Sequence, residues 1–333
     1  MQYFSILYFL LSAAFYKAVE ANSRTSPPRG ALVVSKNAYP GQFSTIQAAL
    51  NALSVTSTAA QVIFIYPGTY NEQVYIAPRA AQLTIYGYTT DTSSYTSNSV
   101  TISYGRSQDN TPKNDETGTV RAWAKGLKIY NVNIVNSRGI GSQAVALSAQ
   151  ADKQGYYGVK LQGYQDTLLA QNGKQIYAKS YIDGAVDFVF GQKARVWFHI
   201  IDIRIKGRGW VTANGRDSDS NNSYYLFNQC NIDRASGESL AAQSSFLGRP
   251  WRSYSRVVFQ NTYMSNIINS LGWDTWPNFT PSTKKLFYRE YGNWGPGATG
   301  NRARFAGKLS HAVAITSILG SDYTSWADTS YLY

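Results

Sequence analysis

Two aspartates and two glutamines stand at spacings that could gather them on one catalytic surface. Gln143 lies in QAVAL (143–147), Gln165 and Asp166 are adjacent in GYQDTL (163–168), and Asp187 opens DFVFG (187–191). Gln143 and Asp166 are 23 positions apart, and Asp166 and Asp187 are 21 apart. A parallel β-solenoid turns once in roughly 20–25 residues and stacks its strands about 4.8 Å apart. Residues one turn apart sit above one another on the same face, so this spacing predicts a short column of Gln143, Asp166 and Asp187. Two carboxylates that close cannot ionise independently: one pKa rises and the other falls. A carboxylate nucleophile and a carboxylic acid donor arise side by side at neutral pH in this way. An isolated pair of aspartates is more often a pair of solvated turn residues. The two amides in the same column weigh against that reading.

The flanking segments have the composition needed to build such coils. Residues 127–135, 157–161 and 181–190 are rich in β-branched and aromatic side chains, as strands are. From Val62 onward short strands, broken by Gly, Asn and Ser, start at irregular intervals of roughly 15–32 residues, as coils with unequal loops would. Asn131, Asn133, Asn136, Asn228, Asn231 and Asn261 follow strands, where their tolerance of left-handed backbone suits tight corners. Before the strands, Ser44-Thr45-Ile46-Gln47 has the spacing of a capping box. Ile46, Ala49, Leu50 and Leu53 share one helical face. A short helix here would plug the first coil, whose core and strand edges are otherwise exposed. Between residues 273 and 300 the pattern dissolves into Gly, Pro, Trp and Asn, a long loop expected to line a cleft. Residues 307–319 are expected to return and close the solenoid.

Nothing in the composition divides the rest of the chain. With 44% hydrophobic and 15% charged residues, it can bury a large core. Residues 1–21 hold an apolar stretch over 4–15 and end in Val19-Glu20-Ala21, the pattern of a secretory signal without a basic n-region. That stretch is shorter than the roughly 20 apolar residues of a membrane span. Residues 22–30 (NSRTSPPRG) read as a flexible linker and 31–333 as a single catalytic domain. Cys230 is the only cysteine, which excludes an internal disulfide and leaves core burial to hold a secreted, extracellular chain together. Asn221 and Asn278 head glycosylation sequons, the second disfavoured by Pro281. The net charge of +12 favours a polyanionic partner, and the 26 Tyr and 8 Trp suit aromatic ladders or a sugar-binding surface. Charge alone does not separate nucleic acid from acidic polysaccharide. The Lys and Arg are scattered, however, and no recognition-helix or zinc-finger pattern accompanies them, so no nucleic-acid or membrane partner is expected. His199 and His311 lie too far apart, with no ligand cluster, to suggest a metal.

Leu247-Gly248-Arg249-Pro250-Trp251 adds the last chemical groups. An Arg near Asp187 would hold that carboxylate ionised and oriented, and Trp251 offers a flat apolar face to a sugar ring. With this motif the chain resembles the pectin methylesterases (pectinesterases). Five motifs of that family stand in family order: Gly68-Thr69-Tyr70-Asn71-Glu72, then 143–147, 163–168, 187–191 and 247–251. Thr45-Ile46-Gln47-Ala48-Ala49 matches the family's N-terminal helix, and the resemblance covers roughly residues 31–315. It implies an all-β, right-handed parallel β-helix that hydrolyses the C6 methyl esters of homogalacturonan (pectin) to pectate and methanol, with no metal or other cofactor. It makes Asp187 the nucleophile and Asp166 the general acid and then base. Gln143 and Gln165 would stabilise the oxyanion and Arg249 would hold Asp187. Trp251, Phe190 and Trp273 would contact substrate, and the chain is expected to act as a monomer. Leu169 replaces the aromatic that plant members often carry after QDTL. The missing cysteines likewise set the chain nearer the disulfide-poor microbial type.

Three other readings compete. Arg204-Ile205-Lys206 reproduces a polygalacturonase tripeptide, but that family's paired aspartates and Gly-His-Gly are missing. We take the tripeptide as chance on an alternating strand. A pectate lyase would need clustered carboxylates for calcium, and none stands out. A non-catalytic polysaccharide-binding solenoid would keep the aromatics and the charge. It would have no need of both aspartates and both glutamines.

Overall fold

The structure, a computed structural model, describes residues 22–276 and 282–333. The expected signal segment 1–21 and the Asn278 sequon lie outside the described residues. The chain winds into a parallel β-helix, an all-β solenoid with three faces. The first face is an 11-stranded sheet running from Leu32–Val34 to Ala306–Lys308, and every neighbouring pair in it is parallel. The second and third faces form one hydrogen-bonded network, because Tyr181–Gly191 and Asp202–Asn214 run continuously round the corner between them.

The interior is a stack of like on like. Register places Tyr156, Tyr177, Phe198, Phe227 and Phe259 on successive strands of the first face. The pairs Phe198–Phe227 and Phe227–Phe259 both have ring centroids 4.3 Å apart and nearly parallel planes. This spacing is close to the roughly 4.8 Å between strands, so one offset serves backbone hydrogen bonds and ring stacking together. The excess of Tyr is thus spent partly inside the coil. Cys230 is buried there too, its thiol pushed up to about 12 by burial.

From the strand Lys128–Tyr130 onward, the turn from the first face to the second is made by one left-handed residue per coil. Asn131, Lys179, Ile200, Gln229 and Asn261 have φ between 49° and 56°, and Gly158 and Gly292 take the same place in their coils. Each non-glycine amide in this file donates to the carbonyl at the end of the next coil's first-face strand, as from Lys179 to His199 O at 3.0 Å. Asn131 and Asn261 fit the corner role expected of them. Asn133, Asn136, Asn228 and Asn231 do not have left-handed backbone and stand within strands instead. Ile200 is the outlier, since left-handed backbone costs a side-chain-bearing residue about 1–2 kcal/mol.

The N-terminal cap is the helix Ile46–Ala52, with Ile46, Ala49 and Leu50 buried. Thr45 is its N-cap, but the capping acid is not the nearby Gln47. Glu72, from the GTYNE motif, accepts the Ile46 and Gln47 amides at 2.8 and 2.9 Å. Residues 22–30 meet the coils at Asn22, whose carbonyl accepts the Thr92 amide at 2.8 Å, and at Arg24. Arg24 exchanges backbone hydrogen bonds with Thr89, donates to Asn131 Oδ1, and lies 4.3 Å over the Tyr86 ring. At the other end Ala306–Lys308 adds the last strand of the first face. The helix Ile315–Leu319 then turns back along the outside of the first face, burying Ile318 and Leu319 with Ile176 and Trp197.

Because Phe227 stacks on both neighbours, Phe227→Ala should cost about 3–5 kcal/mol. A urea denaturation series read by circular dichroism checks this, with the far-UV spectrum of the folded protein unchanged.

Candidate active site

The site lies on the outer side of the third face, where two coils repeat the same local design. Leu168 pairs with Val189 and Leu169 with Phe190, so an offset of 21 residues places Asp166 and Asp187 at matching positions on adjacent coils. Both aspartates have left-handed backbone, with φ of 63° and 51°. Asp tolerates this conformation better than most residues, and such backbone recurs at functional sites. The bend before each aspartate needs a glycine four residues before the side chain that folds back on it. A Cβ on Gly163 would meet Thr167 Oγ1 at 2.6 Å, and one on Gly184 would meet Phe188 Cβ at 2.3 Å. Buried Asp183 pins the same corner, accepting the Gly163 amide at 2.9 Å with Lys206 3.6 Å away.

Gln143 comes from the coil before. Thr167 O accepts both the Ala146 and Leu147 amides, so the register slips by one residue there and Ala144 N donates to Gln165 O. The expected vertical column is therefore staggered. Gln143, Gln165, Asp166 and Asp187 nevertheless line one cavity of about 280 Å³ with Phe190, Arg249 and Trp251. The side-chain amides of both glutamines bond no other described residue and are free to face a ligand. Trp251 borders both this cavity and a second hollow that continues past Leu169, Gln171 and Gln192 toward Arg121 and Trp123. The cleft thus runs along the solenoid axis.

Asp166 and Asp187 are only 7% and 5% exposed. Arg249, equally buried, grips Asp187 with a two-pronged fork: Nε to Oδ1 at 2.9 Å and Nη2 to Oδ2 at 2.7 Å. Burial drives the Asp166 carboxyl well above its ordinary pKa, the charge of Asp187 adds to the rise, and Arg249 offsets only part. Burial also raises Asp187, and there the fork of Arg249 pulls it back. The pair therefore does not split by one rising and one falling. Both are raised, and Arg249 makes Asp187 the first to ionise.

Trp273 is not in the cleft. It is 1% exposed, stacked on Tyr288 at 4.2 Å, with its indole N–H on Glu290. The reason is local: Trp273 extends the third face beside Gly248 and points into the coil. Trp276, three residues on, lines the cavity instead. Its ring lies 3.4 Å from the Arg249 guanidinium, and Trp210 covers the other side at 3.5 Å. Sequence reading passed over Trp276, Trp210 and the rim residues Gln108 and Asn114. A second Trp three positions from Trp273 was the one available signal.

The remaining motifs have structural uses. Arg204 pairs with Asp202, Ile205 is buried, and Lys206 donates to Gly163 O, the alternation of an ordinary strand. His199 is buried against Leu332 O and Asn228, its pKa lowered by burial, and His311 is exposed elsewhere. The amide of Asn221, at the first sequon, donates to Gln192 O and Asp217. Among the described residues no helix is long and apolar enough to cross a membrane.

Comparison with known proteins decides the family. The family model described as Pectinesterase matches residues 31–320. The chain belongs to the pectinesterase family. It is 50% identical to a pectinesterase of Aspergillus aculeatus, over 97% of this chain and 98% of that one. It is 47% identical to a pectinesterase of Aspergillus niger over equal shares. A solved pectin methylesterase from Aspergillus niger, in deglycosylated form, superposes with a TM-score of 0.87 at 42% identity, over 93% of this chain and 100% of that one. Carrot pectin methylesterase gives 0.81 at 28% identity, over 92% and 96%. The chain is thus a carboxylic ester hydrolase, a pectinesterase on the parallel β-helix of its relatives. Membership sets aside the polygalacturonase, lyase and non-catalytic readings. The two Aspergillus relatives share more identity with the chain than the carrot enzyme does.

Removing the fork while leaving the burial should raise the Asp187 pKa further. In Arg249→Met, carboxylate ¹³C NMR titration should show the Asp187 transition moved to higher pH. An uncompensated buried charge should also lower stability by about 3–5 kcal/mol at neutral pH.

Proposed function

We propose that the chain removes C6 methyl esters from homogalacturonan, with Asp187 as nucleophile and Asp166 as general acid and then base. The observation that carries this reading is the asymmetry of the pair: one buried carboxylate held in an arginine fork, the next one rung away and driven toward its protonated form. An Asp187 oxygen attacks the ester carbonyl carbon, and the carbonyl electron pair moves onto oxygen. Gln143 and Gln165, whose amides are unspent on protein partners, donate to that oxyanion. Collapse of the tetrahedral intermediate breaks the C–OCH₃ bond, and Asp166 gives its proton to the departing methanol. The ionised Asp166 then takes a proton from water as the water oxygen attacks the substrate's acyl carbon. The anhydride bond breaks, Asp187 leaves as carboxylate, and the pectin acid is released. One water is consumed and one methanol formed, with both aspartates restored.

The cleft suits a polymer chain. Its floor carries Arg121, Leu169, Phe190 and Ala213 from one outward row, and Phe190 packs with Trp251 beside the carboxylates. Phe190 and Trp251 would seat the sugar that bears the reacting ester. The net charge of +12 suits a substrate that becomes more anionic with each turnover. An extracellular site of action, reached through a signal at residues 1–21, and a monomeric enzyme complete the proposal.

Asp187→Asn and Asp166→Asn should each lose several orders of magnitude in turnover with the fold intact. Gln143→Ala should lose on the order of a hundredfold or more. Near-normal methanol release from folded Asp187→Asn would sink the assignment. Given highly methylated pectin in weak buffer without calcium, the enzyme should release methanol and lower the pH while viscosity and reducing ends barely change. Backbone scission without methanol would overturn the substrate bond proposed here.

A further inference from the structure

Arg249 raises a question that the mechanism leaves open. Its charge is buried and its fork must meet Asp187 edge-on, yet a side chain this long has many rotamers. The answer lies on its two flat sides. The guanidinium carbon is 3.5 Å from the Trp210 ring centroid and 3.4 Å from that of Trp276. Both rings are themselves tethered by their indole N–H groups, Trp210 to Asp274 Oδ2 at 3.0 Å and Trp276 to Pro250 O at 2.7 Å. Trp210 leans on Phe246 in addition. The plane is thus clamped on both faces, and the Nε–Nη2 edge is left to point at Asp187. The two tryptophans come from separate parts of the chain. Trp210 stands on Asp202–Asn214 opposite Val186, one residue before Asp187, and Trp276 stands on the segment following Trp273.

We propose that Trp210 and Trp276, with Asp274 fixing Trp210, are positioning residues that hold Arg249 so that its fork orients the Asp187 nucleophile. The inference rests on the reading of Asp187 as nucleophile. Stacking on two indole faces stabilises the cation where water is excluded, and there cation–π contacts are strongest. Trp276 also borders the cavity, together with Asp187 and Arg249 themselves. The charged groups facing this cluster are Asp187 and Asp166 from the two neighbouring coils and Asp274 behind Trp210. Only Asp187 bonds the guanidinium among the described residues. A loosened Arg249 would leave Asp187 to the effect of burial alone. The pH at which activity is lost on the acid side would then move upward.

The test uses the whole enzyme carrying Trp210→Leu, Trp276→Leu, the two matching Phe variants, and Asp274→Ala. Methanol release from methylated pectin is followed across pH, with thermal melting to report the fold. Each Leu variant should lose on the order of tenfold in kcat. KM should stay within about twofold and the acid limb should move to higher pH, while the Phe variants recover most of kcat. Asp274→Ala cuts the tether of Trp210 without touching the clamp's rings, and should show the same signature more weakly. It decides the matter should a Leu variant not fold. A raised KM at unchanged kcat in Trp276→Leu would make that ring a substrate contact and overturn its role here. An unmoved acid limb with equal loss in Leu and Phe variants would reduce both rings to packing. Inactive Asp187→Asn beside fully active Trp variants would defeat this proposal alone. Active Asp187→Asn would defeat the nucleophile reading itself.

Discussion

The hydrogen-bond ladder between the coils at 168–170 and 189–191 is the constraint on which the rest of the molecule depends. A parallel ladder admits no half-steps: a slip of one residue between these strands would turn either Leu169 or Phe190 inward and take the two aspartates out of step with each other. The ladder is held from the inside. The stack from Tyr156 to Phe259 has the same period as the hydrogen bonds, so core packing and register reinforce each other. The proposed chemistry needs two carboxylates one rung apart, and the solenoid supplies that distance as its natural repeat. The one local slip, at Ala146 and Leu147, tips Gln143 into the site from the coil before.

Holding two buried carboxylates together runs against stability. Each loses solvation, and each would repel the other if both were ionised. The structure relieves this unequally, giving Asp187 a strong cation and driving the Asp166 carboxyl upward, toward its protonated form. Left-handed backbone at both residues adds strain of order 1–3 kcal/mol each. The same conformation recurs down the corner file at Lys179, Ile200 and Gln229. This strain is therefore the ordinary way in which the solenoid turns, used twice more at the candidate site.

Much of this was legible in the sequence, for a physical reason. A solenoid converts separation along the chain into position in space. The offset of 21 between Asp166 and Asp187 could thus be read as a rung, and the strand composition as coils. Arg249 and Trp251 were legible only through family motifs, because the loops between coils differ in length and erase the period. What failed to show depends on where a loop lies against the coil. Trp273 and Trp276 are the same residue type three positions apart, yet one extends a strand into the core and the other lies over Arg249. Gln47 had the right spacing to cap its own helix, but Glu72 from the next coil reaches the amides first. Arg24 sits in a Pro-bearing polar stretch that looks mobile, and no local rule foretells that its cation meets two tyrosine rings stacked on neighbouring coils.

The asymmetry between the two aspartates, on which the proposed roles rest, follows from the direction in which the chain winds. Arg249 follows Ser245–Gly248, which pairs with the coil of Gly209–Thr212, and that coil in turn pairs with the one bearing Asp187. Counting back from the arginine, Asp187 is two coils away and Asp166 three. A side chain reaching back along the cleft meets Asp187 first, and both prongs of the fork are used there. Asp166 receives only the more distant part of that charge, together with the repulsion of the carboxylate between them. Exchanging the roles would require the cation to come from the N-terminal side, where the coil before Asp166 offers the uncharged amide of Gln143. On the proposed reading, the order of the coils, Gln143 then Asp166 then Asp187 then Arg249, is what would make Asp187 attack and Asp166 carry the proton.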